Sequence, residues 1–416
     1  MTLPATISVT LDFNSGATFG LPFTVGDPVS GVLGKGAFAG SETPALVVDL
    51  SDNTRQITIN RGRSIQQDTY QAGTAVIKVY DPNSYFSPQN TTSPYYPYVV
   101  PLRKLRISAN ADGDVHWLFS GYTTDYKYSY DQTEQMGYVE IHCTDAFRLF
   151  NMAQVATVDG QTAGQTTGTR INKILDTMLF PNSLRQISTG STTCQADPGT
   201  VRAGLDCLKN AEFVEQGALY VSADGALVFK SRDEVVGSLA ETPIEFNQTT
   251  GIPYKNLQFA FDDKLIINNA DFVRFGNTAV NQVVQNAASI EKYFPHGIVQ
   301  QNLIAETDAQ VLDIAKIYVA TRAETTIRID AMTIDLMDSA VPTETIIALD
   351  YFSNLRISNI QPDGSTIVKT LQCQGLNWQI TPNSMQVTVT TLEPIVEGFI
   401  IGNSNYGIIG QSIMSY

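Results

Sequence analysis

The sequence predicts a mainly β protein with a smaller α/β insertion, built as two related β-barrel-like domains and a mixed middle region. Three observations support this fold class. Short strand-like segments dominate both ends of the chain, helical spacing of apolar residues is concentrated in the middle, and one strand pattern occurs twice. A chain of 416 residues has room for several domains of roughly 150 residues each.

The first domain is expected over residues 1–150, where strand-like segments are separated by Gly, Pro, Asn and Asp. These segments include ALVVDL, RQITINRGRS, GTAVIKVYD, LRISAN, HWLFSGY and GYVEIHCTD. They are short and rich in β-branched and aromatic residues, which is typical of strands. The alternation of Ala75, Ile77 and Val79 predicts that one face is turned to a core, and Gly73 permits a turn or a close approach of two chain segments.

An α/β insertion domain is expected over residues 151–235. The stretch TGTRINKILDTML places apolar residues at helical spacing, namely Ile171, Ile174, Leu175 and Met178. The stretch GTVRAGLDCLKNAEF predicts a second helix. Two apolar strands then flank Asp224 and Gly225, a dipeptide that is typical of a hairpin.

The second β domain is expected over residues 236–394. It contains the strand-like segments KNLQFAFD and LIINNADFVRFG, and a helix over residues 307–323. Thr307 followed by Gln310 is the pattern of a capped helix start. Strand-like sequence continues to about residue 394, and residues 395–416 are expected to form a C-terminal interaction tail.

The two β regions carry a similar pattern, which indicates either an internal repeat or the chance recurrence of the word LRIS and a common DG turn. Residues from Leu105, LRISANADGDVHWLFSGY, and from Leu355, LRISNIQPDGSTIVKTLQCQG, both run strand, turn, strand and glycine, and then continue through a further turn and strand. In this alignment the turn is at Asp112-Gly113 and Asp363-Gly364, and Gly121 matches Gly375. Three copies of such a chain present six similar domains, which suits an adaptor between three-fold and six-fold assemblies.

Composition and charge argue against several classes of function. The net charge is −15, with 26 basic residues scattered among 41 acidic ones, which does not favour tight nucleic-acid binding. No apolar run approaches about 18 residues, and the start MTLPATISVTLDF lacks a basic region, so we expect synthesis in a cytoplasm and no stable membrane association. The four widely separated cysteines indicate buried, reduced thiols rather than a zinc site.

The sequence nominates no catalytic, cofactor-binding or metal site. His116, His142 and His296 have no motif partners, and no GxSxG, HExxH or P-loop motif is present. No pair among the acidic residues is singled out for glycoside hydrolysis. Asp262-Asp263, and Asp81 with Asn83, match no calcium loop, so turns and solvated edges are their expected roles. We therefore predict a protein that is not an enzyme and has no cofactor.

The order of several motifs resembles the minor tail proteins of long-tailed bacteriophages. GRSIQQDTYQAGTAVIKVYDPNSYFSPQNTTSPYYPYVVPLRKLRI, followed by WLFSGYTTDY, is similar to their GR and AGTA strand, D-x-x-x-x-F-x-P turn, SPY segment and F-(S/T)-G-Y strand. The likeness extends to ETDAQVLDIAKIYVATRA, QGLNWQITPNSMQVTVTTLEP and GFIIGNSNYGIIGQSIMSY. The likeness therefore includes both ends of the chain and the helix expected over residues 307–323. It leaves most of the middle without a matching motif.

This resemblance implies a structural tail hub, or baseplate hub, at the distal end of the tail in the virion. Such hubs are homotrimers whose duplicated barrel-like domains form a pseudo-hexameric ring. The implied partners are the six-fold tail tube or distal tail protein, a three-fold central tail fibre or spike, and the tape measure protein. DNA would pass through the lumen only transiently, during genome ejection.

Two segments are candidate interaction surfaces. Tyr95, Tyr96 and Tyr98 of SPYYPY carry large amphipathic side chains on a stiff segment, as interface anchors do. The alternative is that this segment packs on its own barrel. The C-terminal tail has apolar residues flanked by glycines, which suit an extended segment laid on another protein or on its own subunit: Phe399, Ile400, Ile401, Tyr406, Ile408 and Ile409.

Two other functions remain open from the sequence alone. A receptor-binding or carbohydrate-binding tail-tip protein would adsorb to host cells or glycans. A tail-associated cell-wall hydrolase would clear peptidoglycan. A hub has neither activity, and it is instead expected to form a stable trimer that binds other tail proteins.

Overall fold

The structure is a computed structural model that describes residues 3–13, 47–64, 68–131, 136–158, 162–276, 278–325 and 327–393. Strands dominate these residues, and many belong to one 14-stranded, largely antiparallel sheet to which both ends of the chain contribute. Helices lie mainly in the middle of the chain. The mainly β fold class with a smaller α/β part is therefore confirmed.

The N-terminal strands follow one another across the sheet in the order β3-β5-β8-β7-β6-β1-β2, and all these pairs are antiparallel. Their bounds are β1 Thr6–Asp12, β2 Val47–Asp49, β3 Thr54–Ser64, β4 Thr69–Tyr70, β5 Thr74–Tyr80, β6 Lys104–Ala111, β7 Asp114–Asp131 and β8 Met136–Thr144. Ala75, Ile77 and Val79 of β5 are buried on one face, as their alternation predicts.

The middle region contains short strands and helices. They are α1 Phe147–Met152, β9 Gln154–Val155, β10 Gln165–Thr166, α2 Thr167–Thr177, β11 Arg185–Ile187, β12 Thr193–Cys194, β13 Arg202–Ala203, α3 Gly204–Glu215, β14 Ala218–Val221, β15 Leu227–Lys230 and α4 Arg232–Gly237. Ile171, Ile174 and Leu175 of α2 are buried, which confirms the first predicted helix. The second helix begins only at Gly204, and β14 and β15 form the hairpin expected around Gly225.

The C-terminal strands repeat the N-terminal arrangement, with a longer insertion. The elements are β16 Ile244–Asn247, β17 Lys255–Ala260, β18 Asn269–Arg274, β19 Gln282–Gln285, α5 Ala287–Tyr293, β20 Gly297–Leu303, α6 Asp308–Arg322, β21 Arg328–Asp335, α7 Thr343–Ile347, β22 Asn354–Ile360, β23 Thr366–Thr381 and β24 Ser384–Leu392. Helix α6 begins after Thr307, which forms a capping box with Gln310 as predicted. Strand β18 is shorter than the LIINNADFVRFG stretch.

The internal repeat corresponds to two antiparallel meanders, β6-β7-β8 and β22-β23-β24. Leu105 pairs with Gly121, and Leu355 pairs with Leu371. The match of Gly121 with Gly375 is therefore wrong by four residues, because the two glycines occupy different places in the meander. A register shift marks the same point in both, between Thr123 and Asp125 in the first meander and between Cys373 and Gly375 in the second. Residues at equivalent positions of β7 and β23 therefore have numbers that differ by 250, so that Asp125 is the equivalent of Gly375.

Two hydrophobic cores stabilise the described chain. The larger one includes side chains from both ends, such as Ile107 of β6 and Ile357 of β22. The smaller one lies in the middle region, where Phe213 of α3 contacts Tyr318 of α6 with ring centroids 5.8 Å apart. Helix α6 thus packs on the middle region although it follows β17 in the chain. The domain boundaries expected at residues 150, 235 and 394 stay predictions.

Candidate assembly surfaces

The structure contains two repeated units, the N-terminal unit of β3 and β5–β8 and the C-terminal unit of β17 and β21–β24. An antiparallel pairing of β3 with β23, which we call the seam, joins them inside the chain. It runs from Ile57 opposite Ile380 to Gly62 opposite Gly375. A Cβ atom on Gly62 would lie 2.9 Å from the Cα atom of Gly375, closer than a side chain tolerates. Glycine is therefore required where the two backbones approach most closely.

Arg61 connects the seam to the rest of the molecule. Its side chain is buried, and Nη2 lies 3.3 Å from both the Val221 carbonyl oxygen and the Asp350 Oδ1 atom. The guanidinium carbon also lies 4.8 Å from the centre of the Tyr351 ring. A single residue of β3 thus contacts the β14–β15 hairpin and the segment that precedes β22, so the orientation of the seam is tied to the middle region.

Asp145, just after β8, is a buried carboxyl group beside the seam. It accepts hydrogen bonds from the backbone N–H groups of Gly73, at 2.5 Å, and Phe147, at 3.0 Å. Burial raises the pKa of Asp145 to about 7, although these hydrogen bonds act in the opposite direction. The group therefore titrates near neutral pH while it anchors the start of β5 to the start of α1.

The proline-rich connection between β5 and β6 packs on its own barrel through a turn at Asp81. The Asp81 carboxylate accepts hydrogen bonds from the backbone N–H groups of Tyr85, at 2.8 Å, and Phe86, at 3.1 Å. This confirms the turn that the sequence predicts at Asp81, and the side chain stabilises it by bonding to nearby amides.

The three tyrosines of SPYYPY differ in their surroundings. The Tyr95 ring lies 5.4 Å from that of Phe13 and 5.1 Å from that of Phe86, so it packs against the N-terminal core. Tyr98 also packs against this core. Tyr96 is 45% exposed. Tyr95 and Tyr98 thus follow the alternative that the segment packs on its own barrel, and Tyr96 is the member available to a partner.

The outer half of β7, residues 125–131, has one free edge in the described part of the chain. It pairs with β8 on one side, whereas β6 pairs only with residues 114–122 on the other. Tyr128 and Tyr130 lie here and are 45% and 57% exposed. An unpaired edge with exposed aromatic rings is a surface that can accept another strand.

Both meanders carry exposed apolar residues near the turns of their first hairpins, which we call the hairpin tips. Val115 and Trp117 are exposed at the β6–β7 tip, and Ile360 and Val368 are exposed at the β22–β23 tip. Arg106 stacks on Trp117, with its guanidinium carbon 5.6 Å from the ring centre. Because the two hairpins are equivalent members of the repeat, the chain presents two similar apolar tips.

The predicted C-terminal contact residues lie outside the described residues. These are Phe399, Ile400, Ile401, Tyr406, Ile408 and Ile409. Their role in interaction stays a prediction.

Many of the chemically reactive side chains in the described residues have structural partners, although the buried His142 Nε2 atom has no hydrogen-bond partner there. His116 Nε2 lies 2.5 Å from Glu344 Oε1, and His296 Nε2 lies 3.0 Å from the Tyr293 carbonyl oxygen. Asp262 forms an ion pair with Arg328 at 3.0 Å. The four cysteines are buried and unpaired. Within the described ranges, no group of three or more His, Cys, Asp and Glu side chains could hold a metal ion, and no helix is long and apolar enough to cross a membrane.

Sequence reasoning missed the seam and the hairpin tips. No local pattern connects Gly62 with Gly375, because the two glycines are far apart in the chain. An isolated glycine in a strand does indicate close backbone approach, but the sequence does not name the partner. Trp117 looked like an ordinary strand residue, and only the structure shows that it is 41% exposed.

Comparisons with known proteins identify the fold. No protein-family model matches the sequence, and no curated protein matches it. Among solved structures, the tail protein from Neisseria meningitidis is similar over 85% of this chain and 94% of its own, with a TM-score of 0.54 and 10% identity. The 43 kDa tail protein of prophage MuSo2 from Shewanella oneidensis is similar over 84% and 96%, with a TM-score of 0.53 and 11% identity. At these identities the likeness establishes a shared fold.

Proposed function

We propose that this protein is a structural tail hub of a bacteriophage, a minor tail protein of the baseplate at the distal end of the tail. In this role three copies form a ring that joins the six-fold tail tube or distal tail protein to a three-fold central fibre or spike. The protein acts by assembly and not by catalysis. It is made in the host cytoplasm and functions in the virion.

The observation that carries this proposal is the fold, which is shared with two tail proteins over most of each chain. The internal repeat supports the adaptor role, because two equivalent meanders in one chain give six in a trimer. A ring of this kind combines exact three-fold symmetry with approximate six-fold symmetry.

The hairpin tips are suited to the six-fold partner. Trp117 at one tip and Val368 at the other are exposed apolar residues on equivalent hairpins, so a trimer presents six similar tips. Exposed aromatic residues in a small apolar patch are typical of interface anchors. We assign these tips to the tail tube or distal tail protein.

The three-fold side of the ring is assigned to Tyr96 and to residues 395–416. Tyr96 is exposed beside two tyrosines that anchor the segment on its own barrel. The uncharged end of the C-terminal tail suits docking on the central fibre or spike. The tape measure protein ends in the lumen between these two faces.

The acidic composition fits transient passage of DNA. Each chain carries −15, so three chains carry −45 in total. Acidic groups on the lumen wall would repel the phosphate backbone, and the genome would slide through during ejection without being retained.

Light scattering of the purified protein at several concentrations tests the proposal. We expect a native mass near three times 45.4 kDa, and electron microscopy of virions labelled with specific antibodies should place the protein at the distal tail end. A protein that stays monomeric and is absent from the tail tip would contradict the hub. Adsorption to host glycans would instead support a receptor-binding protein, and clearing of peptidoglycan would support a wall hydrolase.

A further inference from the structure

The seam within the chain has an unpaired counterpart on the outside. In the N-terminal unit, residues paired in succession across the sheet are Thr58, Val76, His142 and Asp125. In the C-terminal unit, the corresponding series is Gln258, Ala331, Thr390 and Gly375. Strand β17 is therefore equivalent to β3, and the outer half of β7 is equivalent to the half of β23 that pairs with β3.

Strand β17 and the outer half of β7 each have a free edge in the described part of the chain. Strand β3 lies between β5 and β23, whereas β17 pairs with β21 alone. The seam half of β23 lies between β24 and β3, whereas residues 125–131 of β7 pair with β8 alone. The seam thus forms once within the chain, and the equivalents of its two strands keep free edges, one on β17 at the end of the sheet and one on the part of β7 that extends beyond β6.

Side chains on these two edges are placed as if a neighbour were missing. Phe259 of β17 pairs with the buried Ile329 of β21, yet it is 41% exposed. Tyr128 of β7 pairs with the buried Val139 of β8, yet it is 45% exposed. The Tyr128 ring is directed to the core side of the sheet, like its partner Val139, and a strand added at either edge would lie beside the exposed ring there.

We propose that β17 of one copy pairs with residues 125–131 of β7 in the next copy, in antiparallel orientation, and that this second seam joins the subunits. The register follows from the first seam, where Thr58 lies opposite Gln379. Gln258 is the equivalent of Thr58, although register shifts flank Gln258 in the pairing of β17 with β21, and Ser129 is the equivalent of Gln379. Gln258 therefore lies opposite Ser129 of the adjacent copy.

A second copy is the occupant that fits, because the chain already shows that this pair of edges can join. The contact is heterologous, since one edge binds the other, and such contacts form rings when the rotation closes. Closure after three copies rests on the proposed function, whereas the strand pairing and its register rest on the repeat. Edges left open in this way otherwise invite uncontrolled association.

The double variant Gln258→Cys/Ser129→Cys tests the register. Both positions are exposed, and the four native cysteines are buried. Directly opposed residues of an antiparallel pair lie within reach of a disulfide. We expect mild oxidation to link most chains into a covalent trimer on a non-reducing denaturing gel, which a thiol reductant returns to single chains.

The matched control is Gln258→Cys/Asp125→Cys. Asp125 is also exposed on β7, but it lies four residues from Ser129, about 13 Å along the strand. This variant and each single variant should remain unlinked. Light scattering of the reduced proteins confirms that all variants keep the oligomeric state of the wild type.

The outcomes separate the second seam from the hub. Trimers by light scattering without a specific cross-link in the Gln258/Ser129 variant would overturn the seam and leave the hub standing. Cross-linked ladders that run past three chains would support the seam and overturn the trimer. A wild-type protein that is monomeric and a double variant that does not cross-link would overturn both.

Discussion

Two stretches at equivalent positions of the repeat differ in composition and burial. On β23, Leu376, Trp378 and Ile380 are almost completely buried, because β3 of the same chain lies beside them. On β7, the equivalent residues are tyrosines, and Tyr128 and Tyr130 are about half exposed. The chain thus has purely apolar residues where β3 covers them, and amphipathic ones at the edge that no described strand covers, where the Tyr128 hydroxyl group donates a hydrogen bond to the Phe86 carbonyl oxygen.

A second difference concerns the end of each meander. Asp145 follows β8 and is buried, whereas its equivalent after β24, Glu393, is partly exposed and paired with Lys369. The N-terminal unit therefore has a buried titratable group next to the seam, and the C-terminal unit has a surface ion pair at that place. The same topology supports different electrostatics because the neighbouring segments differ.

The largest effect is expected for Trp378→Ala. Removing this buried ring leaves a cavity opposite Ile59 in the seam, and we expect the free energy of unfolding to fall by about 3–5 kcal/mol. Tyr128→Ala at the equivalent position should cost about 1 kcal/mol or less in the isolated subunit. Urea denaturation at low protein concentration measures both.

The control for this comparison is Trp117→Ala, which removes the same ring from an exposed hairpin tip. It should resemble Tyr128→Ala and not Trp378→Ala. Equal losses at positions 378 and 128 would show that the outer half of β7 is covered within a single chain, contrary to the second seam.

The next effect concerns pH and Asp145. The pKa of this group is about 7 in the folded protein and near 4 in the unfolded chain, so the folded state binds the proton more tightly. Its contribution to stability is complete below about pH 4 and is lost as the pH rises through 7, a change of about 4 kcal/mol. Urea unfolding at pH 5 and pH 8 measures the part of this loss that falls in that window.

Asp145→Asn should remove this part of the pH dependence, because the amide does not titrate. Glu393→Gln, at the equivalent position of the C-terminal unit, makes the same change and should keep the wild-type loss between pH 5 and 8. If Asp145→Asn loses stability with pH as steeply as the wild type, another group is responsible.

The smallest of these effects is expected for Gly62→Ala. The added methyl group would overlap the backbone at Gly375, and we expect a loss of about 1–3 kcal/mol as the seam adjusts. Gly237→Ala in α4 is the matched change, since its methyl group meets no atom within 4 Å. This control should stabilise the protein by about 0.5–1 kcal/mol. Thermal unfolding of both variants measures the difference, and a neutral Gly62→Ala would show that the two units are not pressed together there.

Much of the local structure could be predicted from the sequence. The start of α6 at Thr307 was readable because a capping box depends on residues three apart. The buried face of β5 was readable because its period of two is local. The fold class and the strand order of the repeat followed from the same kind of signal.

The candidate surfaces were less accessible from sequence. SPYYPY could be recognised as a stiff aromatic segment, but not that Tyr95 would face inward and Tyr96 outward. The glycines of the repeat were misaligned because both interrupt a strand, and only the pairing register shows that Gly375 belongs to the seam. Exposure and register depend on which strands become neighbours, and that is a long-range property.

The sequence by itself determined which segments become strands and helices, and that one strand pattern occurs twice, because propensity, capping and periodicity act over a few residues. Only the tertiary structure decided that the two units share one sheet through β3 and β23, and that β17 and the outer half of β7 keep free edges. Those features depend on backbone hydrogen bonds between segments hundreds of residues apart, for which side-chain patterns supply little information.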